Sequence, residues 1–460
     1  VKKPLVLLLA LALAGAPVLG ANAPRKRQPA KPPAVAPAAS APVLPPSRCN
    51  EEAPATELAT SSSDPRSYLI QLAETAQQRS RQVGVARLLE QAARDEIRDA
   101  EAARLPQAQL VLSSGHAGSI ANGVSASRGL EARASLQLQG PLWDWGRASQ
   151  LIEWRRQLAE AAAAGRSGAA EQIVLQTVAL SLDRSRYTLQ SQVYGQYVRK
   201  MACLVEQLQL ITGFDKGRAS ELVQAQKSQQ QAELALASTQ EILRSIETRL
   251  RRLVGDPLPP VASLSAVLAR LPDLAQLQKD LLAAPDVAQA NAQALASARL
   301  ADSVSAGQKP QLGYLGAANL SRGNGHNADW IAGVQLTIPL WRAQDEPQLS
   351  AARRRAEAAN LQRDETIDAK AWRLQEVHEA AGNALDRARR ITELLRSSQQ
   401  LRSATLLQWQ QLGRRSLFDV MGAEADYYAL RVAHVNAIYD AQQAVALMGS
   451  MGRGVLGLLQ

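Results

Sequence analysis

Leu130–Gly146 reads LEARASLQLQGPLWDWG, and the chain is organised around this stretch. Leu130, Ala132, Ala134, Leu136 and Leu138 alternate with Glu131, Arg133, Ser135, Gln137 and Gln139. Successive side chains of a strand point to opposite faces, so the alternation predicts a strand with one apolar and one polar side. A run of about ten residues is also what a tilted strand needs to cross a bilayer. A second version, Ile331–Ala343, reads IAGVQLTIPLWRA. Both versions end in Pro-Leu-Trp, and both open into a very long polar helical pattern.

Working outward, Gln107–Ser114 also alternates, with Ala108, Leu110 and Leu112 on one side. The Gly/Ser/Asn-rich stretch between it and Leu130, HAGSIANGVSASRG, predicts a long loop, which makes 107–139 a hairpin. The second hairpin, 311–338, has strands at Gln311–Leu320 and Trp330–Ile338 around the loop SRGNGHNAD. From Asp144 to about Thr212 there is no proline. Apolar residues recur there at Val174, Val178, Leu182, Leu189, Val193, Tyr197, Met201, Leu204, Leu208 and Ile211. Steps of three and four predict a helix packed along a partner. Roughly 70 helical residues would run about 100 Å, too long for an ordinary globular domain. A glycine turn near 213–220 leads to a return helix carrying Leu243, Ile246, Leu250 and Leu253. Upstream, a helical pattern runs from Ser67 to Arg104 and stops at Leu105-Pro106.

The halves repeat one another. Pro141 to Gly217 spans 76 positions and Pro339 to Gly413 spans 74; Gly217 to Gly255 spans 38 and Gly413 to Gly452 spans 39. Internal spacing this regular marks duplicated units. The expected partition is a first repeat at 67–260, a short helical connector at 261–284, and a second repeat at 285–454 with its turn near 413–419. The second long helix is expected to bury Leu374, Val377, Ala381, Ala384, Ala388, Ile391 and Leu395.

The first 20 residues combine Lys2 and Lys3, a short apolar run and small residues up to Gly20, which predicts a secretory leader. The mature chain is therefore expected outside the cytoplasm. Residues 21–66, rich in Pro, Ala and Ser, predict a disordered tether. The formal charge of +10 over 460 residues reads as solvated helix faces rather than a nucleic-acid surface. A Cys49–Cys203 disulfide is compatible with an oxidising compartment, and the sequence leaves it open. His116, His326, His378 and His434 are scattered, so neither a metal nor another cofactor is expected. No nucleophile–base arrangement points to an enzyme.

Four such strands cannot cross a bilayer as an open sheet, because both edges would leave backbone groups unpaired in hydrocarbon. Closure needs several chains, and three would supply about twelve strands, within the range of membrane barrels. Trp143, Trp145, Trp330 and Trp341 flank the strands, where a membrane interface favours indole rings. The rival of a different class is a non-channel periplasmic coiled-coil scaffold with a soluble sheet.

The two-fold repeat, Leu105-Pro106 and Lys309-Pro310 before the first strands, and Pro-Leu-Trp after the second ones resemble the TolC-like outer-membrane efflux family. So do the turns Gly217-Arg-Ala-Ser220 and Gly413-Arg-Arg-Ser-Leu-Phe-Asp419. The resemblance covers about Ser67 to Gly454. It implies a mainly α fold with a membrane β-barrel part: a coiled-coil tunnel plus four strands per chain, closing as a twelve-stranded barrel in a homotrimer. It implies an outer-membrane location, with a periplasmic helical portion meeting an adaptor linked to an inner-membrane ABC or proton-driven pump. The cargo would be a protein, as in type I secretion, or small molecules, as in multidrug or metal efflux. Gly217, Arg218, Ser220, Gly413, Arg414 and Ser416 would lie at the adaptor-facing turns. Asp419 matches the first of two constriction carboxylates, whereas the second position is Gly422. Arg415 matches a gate arginine whose partner position holds Val223, with Glu221 as a substitute. Gln410 stands where the family has a gate tyrosine.

Overall fold

The computed structural model describes residues 64–121, 124–323, 326–410 and 415–459. The expected leader, most of the expected tether, Cys49, Gly413 and Arg414 lie outside the described residues.

The chain runs α1 (Pro65–Arg79), α2 (Arg81–Ala102), β1 (Gln107–Ala121), β2 (Val124–Trp143) and α3 (Arg147–Phe214). A short 3-10 turn, Lys216–Arg218, leads into α4 (Ala219–Val254). Next come α5 (Leu274–Leu281), α6 (Pro285–Gly307), β3 (Gln311–Arg322), β4 (His326–Thr337), α7 (Asp345–Gln410), α8 (Leu417–Ser450) and α9 (Val455–Leu459). The helix, hairpin, long helix, turn and return helix thus occur twice.

Three local expectations are corrected. Within the polar stretch 116–129, residues 116–121 and 124–129 are strand rather than loop. β1 continues to Ala121 and β2 begins at Val124, and the strands pair from Gln107↔Gln139 to Ala121↔Val124 with one irregularity at Ser119/Ile120. Low strand propensity gives way here because each strand supplies the other with a ladder. The loop expected at 321–329 shortens in the same way, with Arg322 opposite His326. The first helical stretch is two helices: Ser80 is extended and its hydroxyl accepts from the Val83 N–H at 3.4 Å, capping α2. In the connector, only α5 is α-helical.

Tertiary burial follows the periodic residues. Val174, Val178, Leu182, Met201, Leu204 and Leu208 of α3 are buried, as are Leu374, Val377, Ala381, Ala384, Ala388 and Ile391 of α7. One core joins α1, α3 and α5 to α7, α8 and α9 around Leu69, Val178, Leu277, Leu374 and Tyr439. Inside it Ser185 and Tyr439 share a 2.7 Å hydroxyl–hydroxyl bond, and Ser185 lies 3.1 Å from the Ala262 carbonyl. A second core sits at the turns, where Met201, Leu204 and Leu208 of α3 meet Trp409 of α7 and Leu417, Val420 and Met421 of α8. The two halves of the chain therefore hold each other both midway along the long helices and at their ends.

No described helix is long and apolar enough to cross a membrane.

Candidate functional site

The four strands form one antiparallel sheet in the order β1-β2-β3-β4. Opposed residues of an antiparallel pair share a face. The register Leu110↔Leu136↔Ala318↔Trp330 puts four apolar side chains on one rung of one face. Leu112↔Ala134↔Leu320↔Ala328 forms another. Tyr314 opposite Val334 and Leu312 opposite Leu336 continue the same side. The other face carries Gln109, Gln137, Asn319, Asp329, Gln335 and Thr337. There Asn319 donates to Asp329 at 2.8 Å, and Arg133 lies 3.2 Å from Glu131.

The apolar face is not the wall of a core within the chain. Leu112 is 71% exposed, Leu320 62%, Trp330 79% and Val334 69%. At the helix-proximal end a register shift brings Trp143 opposite Leu312. Its ring meets Trp145 edge-on with centroids 6.0 Å apart. Trp145 donates from Nε1 to the Pro310 carbonyl at 2.7 Å, and the Lys309 ammonium lies 5.4 Å from its ring centre. Trp341 is also exposed. Trp330 lies higher, on the rung of Ala318.

At the helix turns, Asp419 is the third residue of α8. It forms a capping box: the Ser416 side chain accepts from the Asp419 N–H, and the Ser416 N–H donates to the Asp419 carboxylate at 3.3 Å. Arg415 lies 3.9 Å from that carboxylate and donates from Nε to the Gln408 side chain at 3.2 Å. Within the chain Arg415 thus engages its own helix pair. Its family-implied partner position, Val223, is exposed. Gly422 is exposed on α8, and a Cβ built there meets nothing within 4 Å. Gln410 closes α7. In the other turn, the Gly217 N–H donates to the Asp215 carboxylate at 3.0 Å, and Arg218 lies 3.7 Å from the same side chain. Ser220 is exposed in the first turn of α4.

The structure adds a charged cluster that spacing could not disclose. Glu424 of α8 is fully buried, with Lys200 of α3 and Arg402 of α7 each 3.5 Å from its carboxylate. The Arg402 guanidinium also lies 4.2 Å from the Tyr427 ring centre, and Tyr197 and Tyr428 pack at 4.9 Å. Burial, reinforced by the charges of Glu424 and Asp426, pushes the Tyr197 phenol above its ordinary range. The three charged residues are more than 200 positions apart at the extremes, so only tertiary packing brings them together. A glutamate on the apolar stripe of α8, beside Met421 and Tyr428, is the single trace they leave in the sequence.

Among the described residues no group of His, Cys, Asp and Glu side chains could hold a metal ion.

No family model and no curated protein matches the sequence. Solved structures do match. CusC, solved in work on folding and transmembrane channel formation, superposes with a TM-score of 0.75 at 19% identity, over 88% of this chain and 96% of that one. The outer membrane protein VceC of Vibrio cholerae gives 0.73 at 18%, over 84% and 96%. The open state of the MtrE outer membrane channel of Neisseria gonorrhoeae gives 0.71 at 15%, over 84% and 90%. The chain has the fold of the TolC-like outer-membrane channels. In this chain the fold joins long antiparallel helices to a single four-stranded sheet. Glu424 ties α3, the long helix of the first half, to the α7–α8 pair of the second.

Glu424→Ala would leave two largely buried cations without this carboxylate, a change expected to cost about 3–5 kcal/mol. Thermal unfolding followed by circular dichroism should show a clearly lowered midpoint, and an unchanged midpoint would mean that the cluster carries little of the stability.

Proposed function

We propose that three copies of this chain form an outer-membrane exit duct. In this reading the sheets close as a barrel through the outer membrane and the helices carry the passage into the periplasm. The observation that supports it most is the four-stranded sheet itself. One face is apolar from Leu312 and Leu336 up to the rung of Leu112 and is largely exposed, and β1 and β4 are edges. In hydrocarbon those edges are tolerable only when paired. The apolar face then meets lipid, and the side bearing Gln137, Gln335 and Thr337 lines water. Trp143, Trp145 and Trp341 stand at the helix-proximal interface, where indole rings favour the boundary between lipid and water.

The duct supplies a route and a gate, while the energy comes from an inner-membrane pump reached through a periplasmic adaptor. The exposed turns at 213–220 and around Ser416 are the surfaces offered to that adaptor. The cargo is a secreted protein or small molecules. Deletion, followed by comparison of secreted proteins with sensitivity to drugs, dyes and metals, separates the two.

Asp419 is the gate carboxylate of this reading. Three-fold symmetry would gather three such groups at the narrow end, where a ring of carboxylates favours cations. Its capping role is separable from its charge, because asparagine also caps helices well.

Two outcomes test these assignments. Leu136→Arg places a charge on the lipid side at an expected cost of about 2–4 kcal/mol near the bilayer midplane, and should abolish heat-stable trimers. Its neighbour Gln137→Arg, on the water side, should leave them intact. Equal behaviour of the two variants would contradict the assignment of faces. In planar bilayers Asp419→Asn should lose cation preference while the trimer remains, and Gly422→Asp should strengthen that preference. Unchanged selectivity in both would remove the gate role.

A further inference from the structure

The apolar face of the sheet ends, on the side away from the helices, in a different chemistry. The rung Leu112↔Ala134↔Leu320↔Ala328 is the last fully apolar one. The next is Ser114↔Ala132↔Arg322↔His326. Arg322 and His326 therefore lie on the lipid side, directly opposed, and the shared register keeps them there. The nearest acids along the strands have the other parity. Glu131 and Asp329 belong to the polar face, where they meet Arg133 and Asn319.

These two rungs are also hollow. Alanine stands twice in succession on β2: Ala134 lies between Leu112 and Leu320, and Ala132 between Ser114 and Arg322. A depression of about 740 Å³ lies over Ala132 and Ala134, walled by Leu112 and Leu320, with Arg322 and His326 at its rim. Its volume falls within the range of sites that hold small organic ligands, about 300–1,000 Å³. Its chemistry is divided: the walls are hydrocarbon, and the rim holds a planar cationic fork beside an imidazole. Guanidinium groups match phosphate oxygens bidentately, and basic residues at a membrane boundary recognise anionic headgroups. A free phosphate ion would leave the hollow unfilled, and a neutral lipid would leave the basic pair unused. A phosphate-bearing lipid satisfies both.

We propose that this hollow is a binding site for a phosphate-bearing lipid of the outer leaflet. An acyl chain lies over Ala132 and Ala134, and the headgroup phosphate sits on Arg322 and His326. The site rests on the barrel reading above, which makes this face the lipid-contacting one and this end the outer one. One such lipid per chain would mark the height at which the barrel sits in the membrane, opposite the Trp143–Trp145 pair at the other boundary.

Native mass spectrometry of the full-length trimer in detergent tests it, with lipid A as the probe. The same glycolipid without its phosphates and inorganic phosphate serve as controls. Lipid A should remain bound at up to one per chain. Arg322→Gln with His326→Gln, which removes the guanidinium and the imidazole from the rim, should weaken retention at least tenfold. Ala134→Phe, which fills the hollow and keeps the charges, should do the same. Equal retention of the phosphate-free lipid would overturn the proposal, as would full competition by inorganic phosphate. So would wild-type retention in both variants. The spectra report assembly separately: a wild-type protein that is not trimeric would refute the barrel reading, whereas a trimer without bound lipid A refutes only this site.

Discussion

A backbone amide in hydrocarbon has no water to turn to. Every N–H and C=O that enters a bilayer must find its partner in protein, and an edge strand by definition lacks half of them. The sheet of this chain has two edges, β1 and β4, and a face of leucine, alanine, valine and tryptophan that covers nothing in its own chain. Both deficits are met at once when edges join edges and the apolar face turns to lipid. The duplication of the chain follows the same logic, because each half supplies one hairpin and the helices that continue from it.

The helical part meets a different demand. Helices of 68 and 66 residues cannot be stabilised by ends alone. Each carries a narrow apolar stripe along its length, and the stripes bury against neighbouring helices in one large core and several smaller ones. Polar residues punctuate these cores where precise placement matters. Ser185 and Tyr439 join the connector to two helices, and Glu424 draws α3 and α7 onto α8 just before the turn. The turns themselves are held by local caps: Asp215 accepts from Gly217, and Ser416 and Asp419 bond reciprocally.

Much of this was legible in the residues. The alternation in Leu130–Gln139 fixed which side chains share a face, and the register carries that pattern across all four strands. Most of the periodic residues of α3 and α7 bury, whereas Leu189, Tyr197, Ile211 and Leu395 stay half-buried. The failures were local and had physical causes. The stretch 116–129 reads as loop by composition, yet two strands that serve as each other's ladder stay extended through glycine and serine. Ser80 splits the first helix by capping the second, a choice that the surrounding periodicity conceals. Glu424, Lys200 and Arg402 could not be associated from spacing, since they meet only after three helices pack. The pairing of Arg415 with Gln408 and Asp419 likewise depends on how one helix pair closes on itself.

The joining of β1 to β4 between copies is the point on which the duct stands or falls. Within one chain two strands separate them, so they lie about 14 Å apart at the usual strand spacing, far beyond disulfide reach. Cysteines placed at Leu110 or Leu112 and, in the same chain, at Val334 or Leu336 can therefore bridge only between molecules. Oxidation in outer-membrane vesicles, with Cys49 and Cys203 replaced, should give covalent dimers and trimers for at least one offset in the series. Protein that stays a single-chain band at every offset, and purifies as a water-soluble monomer, would show that the sheet closes on no other copy.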